Sequence, residues 1–205
     1  LRIGSDVDYR TGNVHFPGDI VIDGEVKGGF TIKAGGSVYV RGAVEDASIE
    51  ARGGVVVFAG FVGQGKGVIR SGGDVIVSFI RNQAIYARGS IIVGGEAVDT
   101  RLLAGDSIIM ESHRAWILGG EITAGRLIKA NNIGNDSAVL TKVRAGINVI
   151  AENRIAKIDA EMAKVRDERD AMVKTIYGMT SKEAQGGLSS DKSLMRARMS
   201  IMVQS

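Results

Sequence analysis

A phrase of nine residues recurs eight times along the chain, and it limits the possible folds more than any other feature. Each copy begins with an aliphatic residue. The next four alternate positions hold a small residue (Ala or Ser), then Gly, then a branched aliphatic residue and then Val, as in residues 32–40 and 85–93. A repeat this short cannot close a core of its own, so successive copies must stack. The second aliphatic anchor of each copy falls 16 to 21 residues after the previous one, at Ile20, Val38, Val55, Val75, Ile91, Ile108, Ile128 and Val149.

Each copy alternates strictly, which is the period of a β-strand with one buried face. The repeat length suits a coil of two or three short strands with corners, whereas a leucine-rich repeat would need regular Leu and Asn positions. The sequence therefore predicts a mainly β fold, a single-stranded parallel β-helix or β-solenoid of about eight turns over residues 1–150. Precedent for parallel crossovers favours a right-handed coil. At ~4.8 Å per rung, the rod would be about 40 Å long.

Small residues follow the first anchor in nearly every copy, and they indicate a corner where the backbone turns inward. The consensus glycine that follows suits the same corner, since glycine tolerates positive φ and close backbone approach. The small residues are Ala34, Ala51, Ser71, Ala87, Ala104, Ala124 and Ala145.

The repeat changes at both ends of the predicted solenoid. Asp106, Arg126 and Ile147 replace the consensus glycine in the last copies, and terminal repeats are usually atypical because they cap the stack. Phe16 takes the small position in the first copy, and Pro17 is the only proline. A bulky residue and a missing N–H donor both suit a terminal turn, where edge pairing must be blocked.

Residues 151–205 have a different composition and hydrophobic pattern, and we predict a C-terminal helical hairpin or coiled-coil-like arm. Residues 151–177 contain neither Gly nor Pro, and Gly178 is expected to end this first helix. Residues 180–190 read as a loop, and Asp191 could cap a second helix. The first helix carries a stripe with heptad a/d spacing, interrupted by one arginine, which we take as a candidate interaction surface: Ile155, Ile158, Met162, Val165, Arg169, Met172 and Ile176.

Two arrangements of this arm remain open. In the first, the second helix, with Leu194, Met195, Met199 and Met202, folds back and closes the stripe as an antiparallel hairpin. In the second, the stripe pairs with another chain as an intermolecular coiled coil. The few heptads and the arginine at a core position weaken the second arrangement without excluding it.

Composition narrows the classes of function. Of the 205 residues, 44% are hydrophobic, and the net charge is only +3. No basic arm suitable for nucleic acid is present. The absence of cysteine removes disulfides and thiolate metal sites, and it fits a cytoplasmic protein. No signal peptide or membrane-length apolar run is evident. Because Leu1 starts in the middle of the pattern, we expect a fragment of a longer protein.

Three local patterns could indicate a catalytic or ligand-binding site. Residues 60–67 match the spacing of a phosphate-binding P-loop, but Gly67 replaces its Ser or Thr and a strand pattern follows, so a solenoid corner is favoured. His113 and Trp116 could contact a ligand, although an anchoring role for Trp116 is favoured. A row of short polar residues, including Asp19 and Asp74, is better explained by backbone hydrogen bonding at turns than by glycoside hydrolysis. We therefore predict no catalytic, cofactor or metal site.

The order of the glycine phrases resembles the β-solenoid domain of the flagellar assembly protein A family. The resemblance covers about residues 10–150, and the trailing helical arm is also similar to that family. The family's usual N-terminal region is absent from this sequence. The segments that carry the resemblance are residues 12–20, 42–47, 60–67, 79–84, 119–125 and 133–134.

The resemblance implies a cytoplasmic bacterial protein of flagellar assembly or cell-envelope organisation. It implies a scaffold, not an enzyme, with protein partners and possible self-association through the helical arm. It transfers no catalytic residue and implies no nucleic acid or small-molecule substrate. Two alternatives remain open. One is a self-polymerising solenoid of the bactofilin type or of the type found in the C-terminal domain of MinC. The other is a carbohydrate-active or carbohydrate-binding β-helix, which rests on fold analogy alone.

Overall fold

The computed structural model describes residues 1–135, 139–146 and 149–184. The chain divides into two units, Leu1–Ile150 and Ala151–Ser205. In the first unit, the described residues form a parallel β-solenoid of about eight turns with three faces, which confirms the predicted fold class. Like positions of successive turns lie directly above one another on every face.

The strands of each turn contribute to three ladders, here called faces A, B and C. Face A consists of β2 (Val14–Phe16), β4 (Thr31–Ala34), β6 (Ser48–Ala51), β8 (Val68–Ser71), β10 (Ala84–Ala87), the ends of β12 (Ala97–Ala104) and β14 (Trp116–Ala124), and β17 (Thr141–Ala145). Face B consists of β1 (Arg2–Ile3), β3 (Ile20–Ile22), β5 (Val38–Val40), the starts of β7 (Val55–Val62) and β9 (Val75–Arg81), β11 (Ile91–Val93), β13 (Ser107–Met110) and β15 (Leu127–Lys129). Face C consists of bridges at Val7, Val26 and Val44, the remaining parts of β7, β9, β12 and β14, and β16 (Asn132–Ile133).

The register confirms the repeat pattern for seven of its eight anchors. From Ile20 to Ile128, each anchor pairs with the anchor of the next turn on face B. The prediction for Val149 is wrong, because this residue begins helix α1 (Val149–Ala184). The helix formers that follow Val149 offer no glycine corner, so the chain cannot complete another turn of the same kind.

The core consists of inward rows of branched side chains that run the length of the solenoid. Anchors such as Ile32, Ile49 and Ile69 on face A and Val38 and Val75 on face B have no exposed surface. Each such side chain contributes about 1.5–3 kcal/mol when it is fully buried. The strands of face A end at the small-residue row, as at Ala34 and Ala51, which confirms that this row marks a corner.

The consensus glycine is required for close approach, which is one of the two reasons expected from the sequence, and not for positive φ. Neither Gly36 nor Gly89 has positive φ. A Cβ atom at Gly36 would collide with the carboxylate of Asp19, and one at Gly89 with that of Asp74. Asp19 Oδ1 accepts a hydrogen bond of 2.7 Å from the backbone N–H of Ser37, one turn later. The row of short polar residues therefore binds backbone, as predicted, and the glycine leaves room for it.

Two residues that replace the consensus glycine pair with each other. Asp106 and Arg126 occupy this position in consecutive turns, and two hydrogen bonds of 2.7 and 3.1 Å join the guanidinium of Arg126 to the carboxylate of Asp106. These bonds, against the opposing effect of desolvation, hold the pKa of Asp106 at about 2, and hydrogen bonds from Ser90 and Ser107 assist. The altered copies thus exchange close backbone packing for a bidentate ion pair. Ile147 lies outside the described residues.

Helix α1 begins two residues before the second unit, and its residues 151–184 make up the whole described part of that unit. It continues through Gly178 to Ala184, so the prediction that Gly178 ends the helix is wrong, and residues 180–184 are helical instead of forming a loop. One glycine costs only about 1 kcal/mol in a helix interior, which 36 residues of mostly good helix formers can absorb. The rest of the predicted loop and the proposed second helix, from Asp191 onward, lie outside the described residues.

Gln83 and Thr100 occupy the same inward corner position in consecutive turns, where faces A and C meet. Both polar atoms of the Gln83 carboxamide are hydrogen-bonded, since its oxygen accepts from the N–H of Gly67 at 2.7 Å and its nitrogen donates to Asp46 at 2.6 Å. Thr100 is 1% exposed, and its hydroxyl has no hydrogen-bond partner among the described protein atoms. An unsatisfied buried hydroxyl destabilises a fold by about 1–3 kcal/mol.

We predict that Thr100→Val raises the free energy of unfolding by about 1 kcal/mol, because valine keeps the shape of the side chain and removes the unsatisfied hydroxyl. The measurement is chemical denaturation followed by circular dichroism. Thr123→Val is the matched control, since Thr123 is equally buried but its hydroxyl accepts a hydrogen bond from Arg144 at 3.4 Å. Equal or lower stability of Thr100→Val relative to wild type would contradict the assignment.

Candidate interaction surfaces

The helix stripe lies along α1 with much of its apolar surface in solvent. Ile155, Ile158, Met162 and Val165 are between 47% and 64% exposed. Arg169, which interrupts the stripe, donates to the neighbouring Asp170 at 2.7 Å. Four consecutive apolar a/d positions at this exposure are unusual for a solvated helix face. The role of the stripe as an interaction surface stays a prediction.

The last two apolar positions of the stripe differ from the first four. Met172 and Ile176 are half-buried, so the exposed part of the stripe is concentrated between Ile155 and Val165. Substitutions that test the stripe are therefore best placed in that first part.

The P-loop-like segment is a solenoid corner whose amide nest already holds an anion. The backbone N–H groups of Gln64 and Lys66 donate to the carboxylate of Asp46 at 2.9–3.0 Å. A Cβ atom at Gly63 would collide with Asp46 and Gln83. Strand β8, not a helix, follows the segment. The groups that would cradle a phosphate in a true P-loop are directed at a side chain of the same protein, so the favoured corner interpretation is confirmed.

The pKa of Asp46 reports this structural role. Burial raises the pKa of the carboxyl group, but hydrogen bonds from Gln83 and from the backbone of Gln64 and Lys66 outweigh it, and the net pKa lies below the ordinary 3.8. Asp46 and the loop that it organises are 18 to 20 residues apart in the sequence. Sequence reasoning missed Asp46 because nothing near the loop points to it.

Trp116 is held in place by a carboxylate, which supports its interpretation as an anchor. Its indole N–H donates to Glu96 at 3.0 Å, and Glu96 also pairs with Arg81. The hydrogen bond from Trp116 lowers the pKa of Glu96 most, and that from Arg81 lowers it further. Burial raises this pKa by a smaller amount. Glu121 pairs with Arg101 and Arg144, so it is committed to ion pairs on face A.

The outward side of face A forms a charged groove that sequence reasoning missed. The groove has a volume of about 990 Å³ and runs along several turns above the small-residue row. Lys33 pairs with Glu50 at 3.3 Å, and the guanidinium of Arg70 lies 5.4 Å from the centre of the Tyr86 ring. The signal was present in the sequence, since Lys33, Glu50, Arg70 and Tyr86 all occupy the outward position of the alternation.

The outward side of face B is apolar and equally regular. In each of six consecutive turns the residue between two inward side chains is itself aliphatic or aromatic, and these residues pair in register. We call this row the apolar ladder. Tyr39 and Ile76 are 39% and 42% exposed, and the other four members are half-buried. Its members are Val21, Tyr39, Val56, Ile76, Ile92 and Ile109.

Within residues 1–135, 139–146 and 149–184, no group of three or more His, Asp or Glu side chains is placed to hold a metal ion. In the same part of the chain, no helix is long and apolar enough to cross a membrane.

We predict that Asp46→Asn lowers the free energy of unfolding by about 1–2 kcal/mol at pH 7, because the amide cannot accept the three donors that surround the carboxylate. Since the folded pKa of Asp46 is depressed, its contribution is present above the ordinary pKa of 3.8 and is lost as the pH falls through the folded pKa. The difference between wild type and variant should therefore shrink below pH 3.8.

The measurement is urea denaturation at several pH values between 7 and about 2.5. Asp159→Asn, an exposed change on α1, is the control and should leave stability unchanged at every pH. A stability difference for Asp46→Asn that stays constant across this pH range would argue against the proposed role of the carboxylate.

Comparison with known proteins agrees with this architecture. The family model described as FapA, Flagellar Assembly Protein A beta solenoid domain, matches residues 1–204. No curated protein and no solved structure matches the chain significantly. A match over nearly the whole length, together with the three-faced parallel solenoid, shows that the chain belongs to the flagellar assembly protein A β-solenoid domain family.

Proposed function

We propose that the chain is a non-catalytic scaffold in flagellar assembly, in which a rigid solenoid presents protein-binding surfaces at fixed spacing. The observation that carries the proposal is the in-register stacking of outward residues, which gives face A three successive charged residues, Lys33, Glu50 and Arg70, and gives face B a continuous apolar row. Membership of the family supports the link to flagellar assembly.

Four carboxylates with lowered pKa values accept hydrogen bonds from other turns, which fits a structural function. Asp23, Asp46, Glu96 and Asp106 all have lowered pKa values, and each accepts hydrogen bonds from an arginine, a tryptophan, a glutamine or the backbone of the solenoid. A general acid in an enzyme usually needs a raised pKa near the working pH. The perturbed groups therefore act as fixed acceptors that hold neighbouring turns together.

End-to-end polymerisation of the bactofilin type receives less support, because the two ends of the solenoid differ. At the first turn, Val7 has no exposed surface, so the core is covered at this end. At the last turn, the inward residues Ile133 and Val143 are 50% and 39% exposed. Head-to-tail stacking needs two complementary ends, and the first end is already closed by its own residues.

The helix stripe is the surface through which we propose that the arm binds partners. The triple change Ile158→Asp, Met162→Asp and Val165→Asp would place three charges in that interface, where apolar side chains are needed. This change should abolish the binding. The experiment compares the proteins that co-purify with the tagged chain from its native cells, quantified by mass spectrometry. We expect at least one flagellar assembly component to be lost about tenfold or more with the triple variant.

The matched control places the same three aspartates at Ala156, Ala160 and Ala163, which lie on the same helix outside the stripe and are exposed. This control adds the same charge and lowers helix propensity more than the stripe variant does, because it replaces three alanines. It should still retain the wild-type set of partners, so a loss confined to the stripe variant is not explained by a weaker helix. Identical partner sets for all three proteins would count against the arm as a docking surface. Turnover of a glycan by the purified chain would count against the scaffold function itself.

A further inference from the structure

The charged groove on face A holds all of the excess positive charge of this chain. Its lining contains four cationic side chains and one carboxylate, that of Glu50, so it carries an excess of three positive charges. The net charge of the whole chain is also +3, so the formal charges outside the groove cancel. Four consecutive turns each contribute one cation to the lining, in the order Lys33, Arg52, Arg70 and Arg88.

The three arginines of the groove have no anionic partner in the described protein. Within residues 1–135, 139–146 and 149–184, the side chains of Arg52, Arg70 and Arg88 form no ion pair and donate no hydrogen bond. Elsewhere on the solenoid an arginine commonly pairs with a carboxylate of a neighbouring turn, as Arg126 does with Asp106 at 2.7 Å. The three groove arginines are also exposed, so their N–H groups are open to a ligand.

Arg70 is held in position without being neutralised. Its guanidinium lies 5.4 Å from the centre of the Tyr86 ring, which belongs to the next turn. A cation–π contact restricts a guanidinium but leaves its charge in place. A ligand that binds Arg70 therefore has less side-chain freedom to remove, which favours binding.

We propose that the groove binds an extended acidic segment of a partner protein, whose carboxylates pair with these arginines. An arginine binds a carboxylate through two parallel hydrogen bonds, and this geometry makes the pair specific as well as strong. The inference rests on the proposed scaffold function, and it names the chemistry of the partner that face A receives.

The carboxylates in and beside the groove favour a peptide over a nucleic acid. Glu50 lies in register between Lys33 and Arg70, and it pairs with Lys33 at 3.3 Å. Asp19 and Asp74 are exposed two residues beyond the lining of the groove. A nucleic acid carries a charge on every phosphate and would meet these carboxylates. A peptide can instead place a neutral residue opposite each of them.

The cations alternate between two rows of the groove, and the rows set the spacing of the expected ligand. Lys33 and Arg70 lie on the outward row of face A, whereas Arg52 and Arg88 lie on the corner row with Gly72 between them. Within either row the two cations are two rungs, about 9.6 Å, apart. Every third residue of a polyproline II peptide lies on the same side, about 9.3 Å further along. An acidic residue at every third position therefore matches the rows.

The experiment measures the binding of a fluorescein-labelled peptide of three Glu-Pro-Pro repeats to the full chain by fluorescence anisotropy, in about 50 mM NaCl so that screening is weak. The wild-type chain should bind the peptide saturably. The double change Arg52→Gln and Arg88→Gln should raise the dissociation constant by about tenfold or more, because it removes both cations of the corner row. Both positions are exposed, so the fold should be retained, which circular dichroism checks.

The matched control is the double change Lys66→Gln and Arg114→Gln, which removes two exposed cations outside the groove. It should leave the dissociation constant within about twofold of wild type. Because both double variants have the same net charge, a difference between them reports the groove and not general attraction to an anion.

The outcomes separate this proposal from the scaffold function. No saturable binding by the wild-type chain, or an equal loss in both double variants, would overturn the proposal. Tighter binding of a single-stranded oligonucleotide of the same charge would assign the groove to nucleic acid and also overturn it. The helix triple variant should bind the peptide as wild type does, because the stripe belongs to the other unit of the chain. Absence of peptide binding, with loss of cellular partners in the helix triple variant, would therefore reject the groove and retain the scaffold function.

Discussion

The stacking of each turn on its neighbours is the interaction on which the rest of this structure depends. No turn of 16 to 21 residues can bury its own apolar side chains or satisfy its own backbone, so both must be completed by the turns above and below. Parallel register then places like positions in continuous rows. The residue that fits a position therefore depends on the residue one turn away. Arg126 pairs with Asp106, and Asp19 leaves no room for a side chain at Gly36.

This constraint explains why the fold could be predicted and where prediction failed. The anchors from Ile20 to Ile128 are inward residues whose spacing is imposed by stacking, so the sequence pattern was sufficient. Val149 matches the same local pattern but lacks the glycine corner and is followed by helix formers, and it begins α1 instead. The positive φ expected at Gly36 also failed, since its requirement comes from Asp19 in another turn and cannot be read from the local phrase.

The candidate surfaces were harder to predict for a related reason. Stacking restricts inward positions to apolar residues of suitable size, whereas outward positions are free of this restriction. Which outward residues form a row can be seen only when the register between turns is known. Residues 60–67 match the spacing of a phosphate-binding loop, and their amide nest is real, but the anion that fills it is Asp46, contributed by the preceding turn. The apolar ladder was hidden in runs such as Val55–Val57, where a buried strand and a strand with two apolar faces read alike.

The outward rows are free of the stacking constraint, and this freedom is what the proposed scaffold function would use. Changing Arg70 on face A or Ile76 on face B alters no core contact, so the two faces can diverge while the eight turns stay intact. Their contrast in chemistry, charged on one face and apolar on the other, is then a record of what each face meets. A charged groove favours exchangeable, salt-sensitive contacts, whereas an apolar face favours association driven by burial.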